Sequence, residues 1–297
     1  MARGGGRLSN LFCFGLGYTA RALAARLMGR GWRVAGTARS EKNLQSIRDF
    51  GGDAMLFDGS SPGPAIAGQL RQSTHVLVSI PPGEEGDAAL RHHAGDLAEI
   101  SGIEWIGYLS TVGVYGDRQG EWVDETSAPM PKGPRAKRRL EAERAWTAFG
   151  EQVNKPVHIF RLPGIYGPGR NALVALRAGT ARRVVKPGQV FNRAHVADIA
   201  SVLEASIRQP RAGAVYNVTD DEPAPPQDVV TYAAELLGVE PPPEVPFEQA
   251  ELSPMGRAFY GECKRVRNGL IKSELGVELR YPTYREGLRA LAAELAD

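Results

Sequence analysis

The chain has 297 residues, 42% hydrophobic and 24% charged, with 36 Lys and Arg against 34 Asp and Glu and a formal net charge of +2. That length accommodates one large α/β domain or two domains, each able to bury a core. The apolar content excludes a disordered chain, and the near balance of charge argues against a dedicated nucleic-acid binder. Cys13 and Cys263 are too few and too far apart for a disulfide framework or a zinc motif, so no metal is expected. No run approaches the ~18 apolar residues of a membrane span, so no membrane partner is expected either. The opening MARGGGRLSN leads into a strand-like LFCF instead of a secretion signal, and the expected location is the cytoplasm.

In chain order, residues 11–14 read as a strand and 19–28 as a helix with Leu23 and Leu27 on one face. Strands follow at 32–36, 54–57, 75–80 and 105–110, with helices at 43–50 and 87–100 between them. Short, continuously apolar runs such as HVLVSI, alternating with helices, predict parallel strands buried on both faces and joined by crossover helices. A basic helix over 134–149 and a sixth strand over 157–162 continue the series. Beyond Arg170, Gly, Pro and Arg punctuate shorter elements: a helix at 196–207, a strand at 214–218, and a helix at 227–237 framed by two proline clusters.

Gly15, Leu16, Gly17, Tyr18, Thr19 and Ala20 form G-x-G-x-x-A directly between the first strand and the first helix. A first glycine permits the tight turn, a second lets the backbone approach a pyrophosphate, and a small third residue lets helix and strand pack closely. The helix amino terminus adds N–H groups and a positive dipole end. Glycines also occur in such turns for steric reasons alone, but the placement after the first strand favours a dinucleotide. NAD-binding folds carry an Asp or Glu about 20 residues further on, to hold the ribose hydroxyls. Here the second strand leads to Arg39 and Ser40, with no acid before Glu41. An arginine and a hydroxyl suit the extra phosphate of NADP through charge-assisted hydrogen bonds. NAD, with a merely solvated Arg39, is the alternative.

Further segments carry a family resemblance: Asp58 after the third strand, LSTVGVYG at 109–116, RLPGIYGPG at 161–169 and FNRAHVAD at 191–198. With the glycine loop, they make the sequence resemble an atypical member of the extended short-chain dehydrogenase/reductase superfamily, which includes NAD(P)-dependent epimerases and dehydratases. The resemblance runs over nearly the whole chain. It implies an α/β fold, a Rossmann-type doubly wound parallel sheet of about seven strands over residues 1–168. A smaller C-terminal substrate lobe over 169–297 would follow, some of its elements returning to the sheet. It also implies a cofactor whose pyrophosphate meets residues 15–20 and whose adenosine end meets Arg39, Ser40 and Asp58. The nicotinamide end would meet Ser79, Ile80, Pro81 and Thr111.

The family's catalysis uses a Tyr-x-x-x-Lys pair one helical turn apart, with a nearby Ser or Thr holding the substrate hydroxyl. Thr111 stands at the Ser/Thr position. Counting from Leu140 and the glutamates after it places Arg135 at the tyrosine and Arg139 at the lysine, and no tyrosine lies between Tyr115 and Tyr166. A guanidinium, with a pKa above about 12, does not exchange protons near neutrality. Arg135 and Arg139 are therefore expected to orient an anion or a ribose hydroxyl, while another group supplies any proton. Tyr115 and Tyr166 lie in segments resembling active-site loops and are candidates, equally explained as aromatic packing.

The run 132–139, with five basic residues in eight positions, reads as a solvated helix face with i,i+4 ion pairs rather than a nucleic-acid surface. His92 and His93 cannot face one ligand together. Tyr166, Arg170, Asn171 and Arg193 are expected to shape the pocket of a small, anionic substrate. The resemblance implies a homodimer through the basic helix, whose charge density suits a packed apolar interface poorly. Two functions are in play. One is an oxidoreductase or epimerase/dehydratase-like enzyme acting with NADP on a sugar or nucleotide-sugar type substrate, with a non-standard active site. The other is a catalytically silent NADP-binding sensor or scaffold.

Overall fold

The computed structural model describes residues 9–63 and 65–295. Residues 1–8, which carry most of the amino-terminal lead-in read above, lie outside the described residues. The chain divides into two compact units, and neither is a continuous stretch of sequence. Unit 1 comprises the chain up to Ser110, Glu141–Phe160 and Leu203–Val215. Unit 2 comprises Thr111–Leu140, Arg161–Val202 and the chain from Tyr216 onward. A single cut after residue 168 does not describe this division. Three strands of the main sheet each end by passing the chain from unit 1 to unit 2.

Unit 1 is built on seven strands: β1 (Asn10–Phe14), β2 (Arg33–Ala38), β3 (Asp53–Leu56), β4 (His75–Val78), β5 (Trp105–Thr111), β6 (Val157–Leu162) and β7 (Val215–Asn217). Their spatial order is β7-β6-β5-β4-β1-β2-β3. The pairs around β1 are parallel, with Phe12 opposite Ala35 on one side and Val76 on the other. This is the Rossmann strand order, with helices α1 (Tyr18–Met28), α2 (Glu41–Asp49) and α3 (Ala88–Glu99) in the crossovers. The basic helix, α4 (Pro134–Val153), extends past its expected end, and α5 (Val196–Arg208) follows. β4 stops at Val78, two residues short of the apolar run HVLVSI, where the chain turns outward ahead of Pro81.

The apolar runs are strands because both faces are covered. Phe12, Phe14, Val76, Val78, Ile106 and Tyr108 are fully buried in one cluster with Leu97 of α3 and Trp146 of α4. Each side chain of this size contributes about 1.5–3 kcal/mol when withdrawn from water. Trp105 buries its ring and donates its indole N–H to Ser206 Oγ at 3.1 Å. The buried Glu204 is neutralised from α1 by Arg26 at 2.8 Å and by Arg30, and from its own helix by Arg208 at 3.6 Å.

Unit 2 pairs short parallel strands: Gly164–Tyr166 with Arg193–His195, Arg183–Val185 with Glu244–Pro246, and Trp122–Val123 with Arg265–Val266. Its main core joins Tyr166, Leu173, Ala233, Tyr284 and Leu288. Asp198 accepts the Arg280 and Tyr281 amides at 2.8 and 3.0 Å, clamping the carboxyl-terminal segment in place.

Candidate functional site

In unit 1 the sheet reverses its direction of growth at β1, with β2 on one side and β4 on the other. Beyond the carboxyl ends of these strands lies a cavity of about 810 Å³, at the position where open α/β sheets take ligands. The turn after β1 shapes its floor. Gly15 has φ +86°, and a Cβ there would come within 2.8 Å of Ile80 Cγ2, so the position needs glycine twice over. The turn is pinned to the end of β2: Gly15 N donates to Thr37 Oγ1 at 2.8 Å and Leu16 N to Thr37 O at 3.0 Å. This close approach requires Gly36, whose Cβ would otherwise sit 2.7 Å from Leu16 Cβ. Gly17 is the N-cap of α1 and offers no capping side chain, so the helix presents backbone and its positive end to the cavity. This cradle fits a pyrophosphate.

Gly15, Gly17, Tyr18, Arg39, Asp58, Ser79, Ile80 and Pro81 all line this one cavity. Thr19 and Ala20 do not; they are 6% and 0% exposed and pack α1 onto the sheet. Ser40 is the N-cap of α2, makes no capping hydrogen bond and stands outside the lining. Asp58 accepts from Ser60 Oγ at 2.6 Å and Ser60 N at 2.9 Å, which holds its carboxyl below the usual range. Glu41, the first acid after Arg39, is drawn into a pair with Arg48 at 3.0 Å and is not part of the lining. Among the described residues no carboxylate pairs with the exposed Arg39. Sequence reasoning missed Arg21, Asn43 and Ser46, which α1 and α2 bring to the cavity, and Glu84, Glu85 and Arg91 after β4. The three-residue spacing of Asn43 and Ser46, which puts both on one helix face, was the available signal. Arg91 is spent locally, on Glu85 and on Gly59 O at 2.6 Å.

The other candidates belong to unit 2. Thr111 is half-buried and caps the short 3-10 turn Val112–Tyr115, its hydroxyl accepting from Gly113 N at 3.1 Å. A Cβ on Gly113 would lie 4.0 Å from Ala136 Cβ, so this turn sits beside the first turn of α4. Arg135 there is exposed and Arg139 half-buried. Tyr115 is corrected to a packing residue. It is 0% exposed in a core with Val114, Val123, Leu140 and Val266. Its hydroxyl donates to Asn217 Oδ1 at 2.8 Å and accepts from Arg161 Nη1 at 2.9 Å. Burial raises its pKa further, against the Arg161 charge.

Tyr166 is corrected likewise. It is 8% exposed, its ring meets His195 edge-on, and burial pushes its phenol well above the ordinary range. Asn171 caps the helix Ala172–Arg177 by accepting from Val174 N at 3.0 Å, and it donates to Gly167 O at 2.8 Å. Arg193 is half-buried and donates to Phe191 O and Ala224 O at 2.9 and 3.1 Å. Arg170 is exposed. Glu125, which sequence reasoning passed over, accepts from Asn217 N at 2.8 Å, and burial raises its carboxyl pKa.

The model of the NAD dependent epimerase/dehydratase family matches residues 87–219. A conserved protein of unknown function from Silicibacter pomeroyi is 50% identical, with 96% of this chain and 99% of that one covered and a TM-score of 0.90. Protein YeeZ of Escherichia coli strain K12 is 30% identical over 283 residues, 90% of this chain and 94% of that one. This chain belongs to the NAD dependent epimerase/dehydratase family. The fold extends to more distant enzymes: the UDP-glucose 4-epimerase of Thermus thermophilus, in complex with NAD, is 19% identical with a TM-score of 0.71 over 97% of this chain and 99% of that one.

The chain has this strand order and the glycine cradle, and Arg135 and Arg139 stand in the first two turns of α4. Among the described residues no three His, Cys, Asp or Glu side chains converge on a metal position, and no helix is long and apolar enough to cross a membrane.

Proposed function

We propose that this family member binds NADP(H) in the unit 1 cavity. It is an oxidoreductase or epimerase/dehydratase-like enzyme for a small anionic substrate of the sugar or nucleotide-sugar type. The carrying observation is Arg39, which lines the cavity and, among the described residues, pairs with no carboxylate, while the first acid after it in sequence, Glu41, pairs with Arg48. A nicotinamide cofactor supplies hydride transfer when bound. Around it, the Gly15–Gly17 turn holds the pyrophosphate, Asp58 the adenine end, and Arg39 the extra phosphate, while Ser40, outside the lining, takes no part. In unit 2, Thr111 holds a substrate hydroxyl, and Arg135 and Arg170 contact the anionic substrate. Fluorescence titration with NADPH and NADH tests this reading. Tenfold or tighter binding of NADPH is expected; equal affinities overturn the role of Arg39, and binding of neither overturns the cofactor assignment.

Tyr115 favours a second reading. With its phenol buried and its hydroxyl committed, and with guanidinium groups at 135 and 139, the protein becomes a silent NADP-binding sensor or scaffold. Steady NADPH oxidation driven by any member of a panel of sugar phosphates and nucleotide sugars ends that reading. Tight binding without turnover across the panel supports it.

A further inference from the structure

We infer that Arg21 of α1 is a specificity-determining residue for the cofactor, a pre-fixed guanidinium that shares with Arg39 the phosphate distinguishing NADP from NAD. The inference rests on the NADP(H) reading of the cavity. Three arginines line that cavity: Arg21, Arg39 and Arg91. Their charges are in different states. Arg91 is neutralised by Glu85. Among the described residues neither Arg21 nor Arg39 has a carboxylate partner, so their positive charge is left for a ligand.

Arg21 differs from Arg39 in being held. Its Nε donates to Leu16 O at 3.1 Å, its Nη2 donates to Ser46 Oγ at 3.0 Å, and the guanidinium lies 5.5 Å from the centre of the Phe50 ring. All three partners are uncharged, so they fix the plane of the group without cancelling its charge. A long side chain loses conformational entropy when it grips a ligand, and Arg21 has already lost it on folding, whereas the exposed Arg39 has not. Arg21 stands between the glycine loop, through Leu16, and α2, through Ser46. Asn43 of α2 lines the same cavity and adds an uncharged amide. A dianionic phosphate is the ligand chemistry that two uncompensated guanidinium groups and neutral amide and hydroxyl donors match best. NADH has no such group to offer here.

The hydrogen bond to Leu16 O also gives Arg21 a hold on the glycine loop, and a role confined to loop positioning would weaken both cofactors alike. The full chain and its Arg21→Gln and Arg21→Lys variants are therefore titrated with NADPH and with NADH at two ionic strengths, with melting curves to check folding. Arg21→Gln should raise the Kd for NADPH about tenfold or more, leave NADH within about twofold, and flatten the salt dependence of NADPH binding. Arg21→Lys, which keeps the charge, should recover part of the loss. Equal weakening of both cofactors, or an unchanged NADPH affinity, overturns the inference while leaving the cofactor assignment intact. Failure of the unmodified chain to bind either cofactor overturns both together. Should Arg21→Gln melt early, Arg21→Lys decides: a normal fold with the preference for NADPH partly lost supports the inference, and an undiminished preference or equal loss for both cofactors overturns it.

Discussion

The cavity of unit 1 and the Tyr115 cluster of unit 2 are both rich in chemistry-bearing side chains, yet they differ in what is left over. Around the cavity, Arg21 and Arg39 make no ion pair with a carboxylate among the described residues, and Gly17 leaves a helix end without a capping side chain. In the Tyr115 cluster the phenol hydroxyl both donates and accepts, Arg161 covers the ring at 4.9 Å, and Asn217 is held from side chain and backbone alike. Residual capacity marks a place built for a ligand, and mutual satisfaction marks a place built to be rigid. A sequence motif does not distinguish the two, because the same residue types serve both ends.

The sharpest way to break this contrast is at Gly15. Gly15→Val puts a β-branched side chain at φ +86° and against Ile80, and should cost about a hundredfold in affinity for both NADPH and NADH by titration. Retained binding would mean that the cradle is not where the dinucleotide lies. On the other side, Tyr115→Phe strips a partner from Asn217 and Arg161 in a fully buried setting. It should lower stability by about 1–3 kcal/mol in urea denaturation while cofactor affinity stays the same. Full stability with a loss of turnover would return Tyr115 to the chemistry and undo the comparison. Arg39→Ala should weaken NADPH about tenfold and leave NADH unaffected, which sharpens the claim that the leftover charge is aimed at a phosphate.

The smallest effect near neutrality, growing as the solution is acidified, comes from two histidines, one in each unit. Burial holds both His75 and His195 at a pKa of about 4, and Arg280 adds to the effect at His195. The unfolded chain takes up these protons below about pH 6.5 and the folded one below about 4, so stability should fall through that window and level off beneath it. His75→Gln should flatten the slope in melting curves recorded from pH 7 to pH 4. An unaltered slope would remove His75 as a cause.

Much of the sheet was legible in the sequence because a strand buried on both faces must be apolar throughout, and LFCF, HVLV and WIGYLS cannot easily be anything else. The glycine turn was legible for a comparable reason, since its backbone geometry excludes other residues. Legibility ended where structure depends on partners distant in sequence. The three-residue strand Gly164–Tyr166 acquires its identity from Arg193–His195, and neither segment alone carries a period long enough to read. Arg21 looks like any polar residue on an amphipathic helix until α2 places Ser46 beside it. For Tyr115 the sequence leaves proton donor and aromatic packing both open, because its loop resembles an active-site loop while its burial is decided by Leu140 and Val266, which that loop does not contain.

The interleaving of the two units bears on how the protein is made. The seventh strand of the main sheet ends at Asn217, so a ribosome must have passed that point before the sheet can close. Until then β5, and later β6, present an unpaired edge on a chain emerging at about 5–20 residues per second. Neither unit corresponds to a contiguous stretch of gene, so neither can be lost, exchanged or duplicated as a cassette. Change in unit 2 has to arrive by substitution, or by insertion into one of its three stretches of chain, without disturbing the strands on either side.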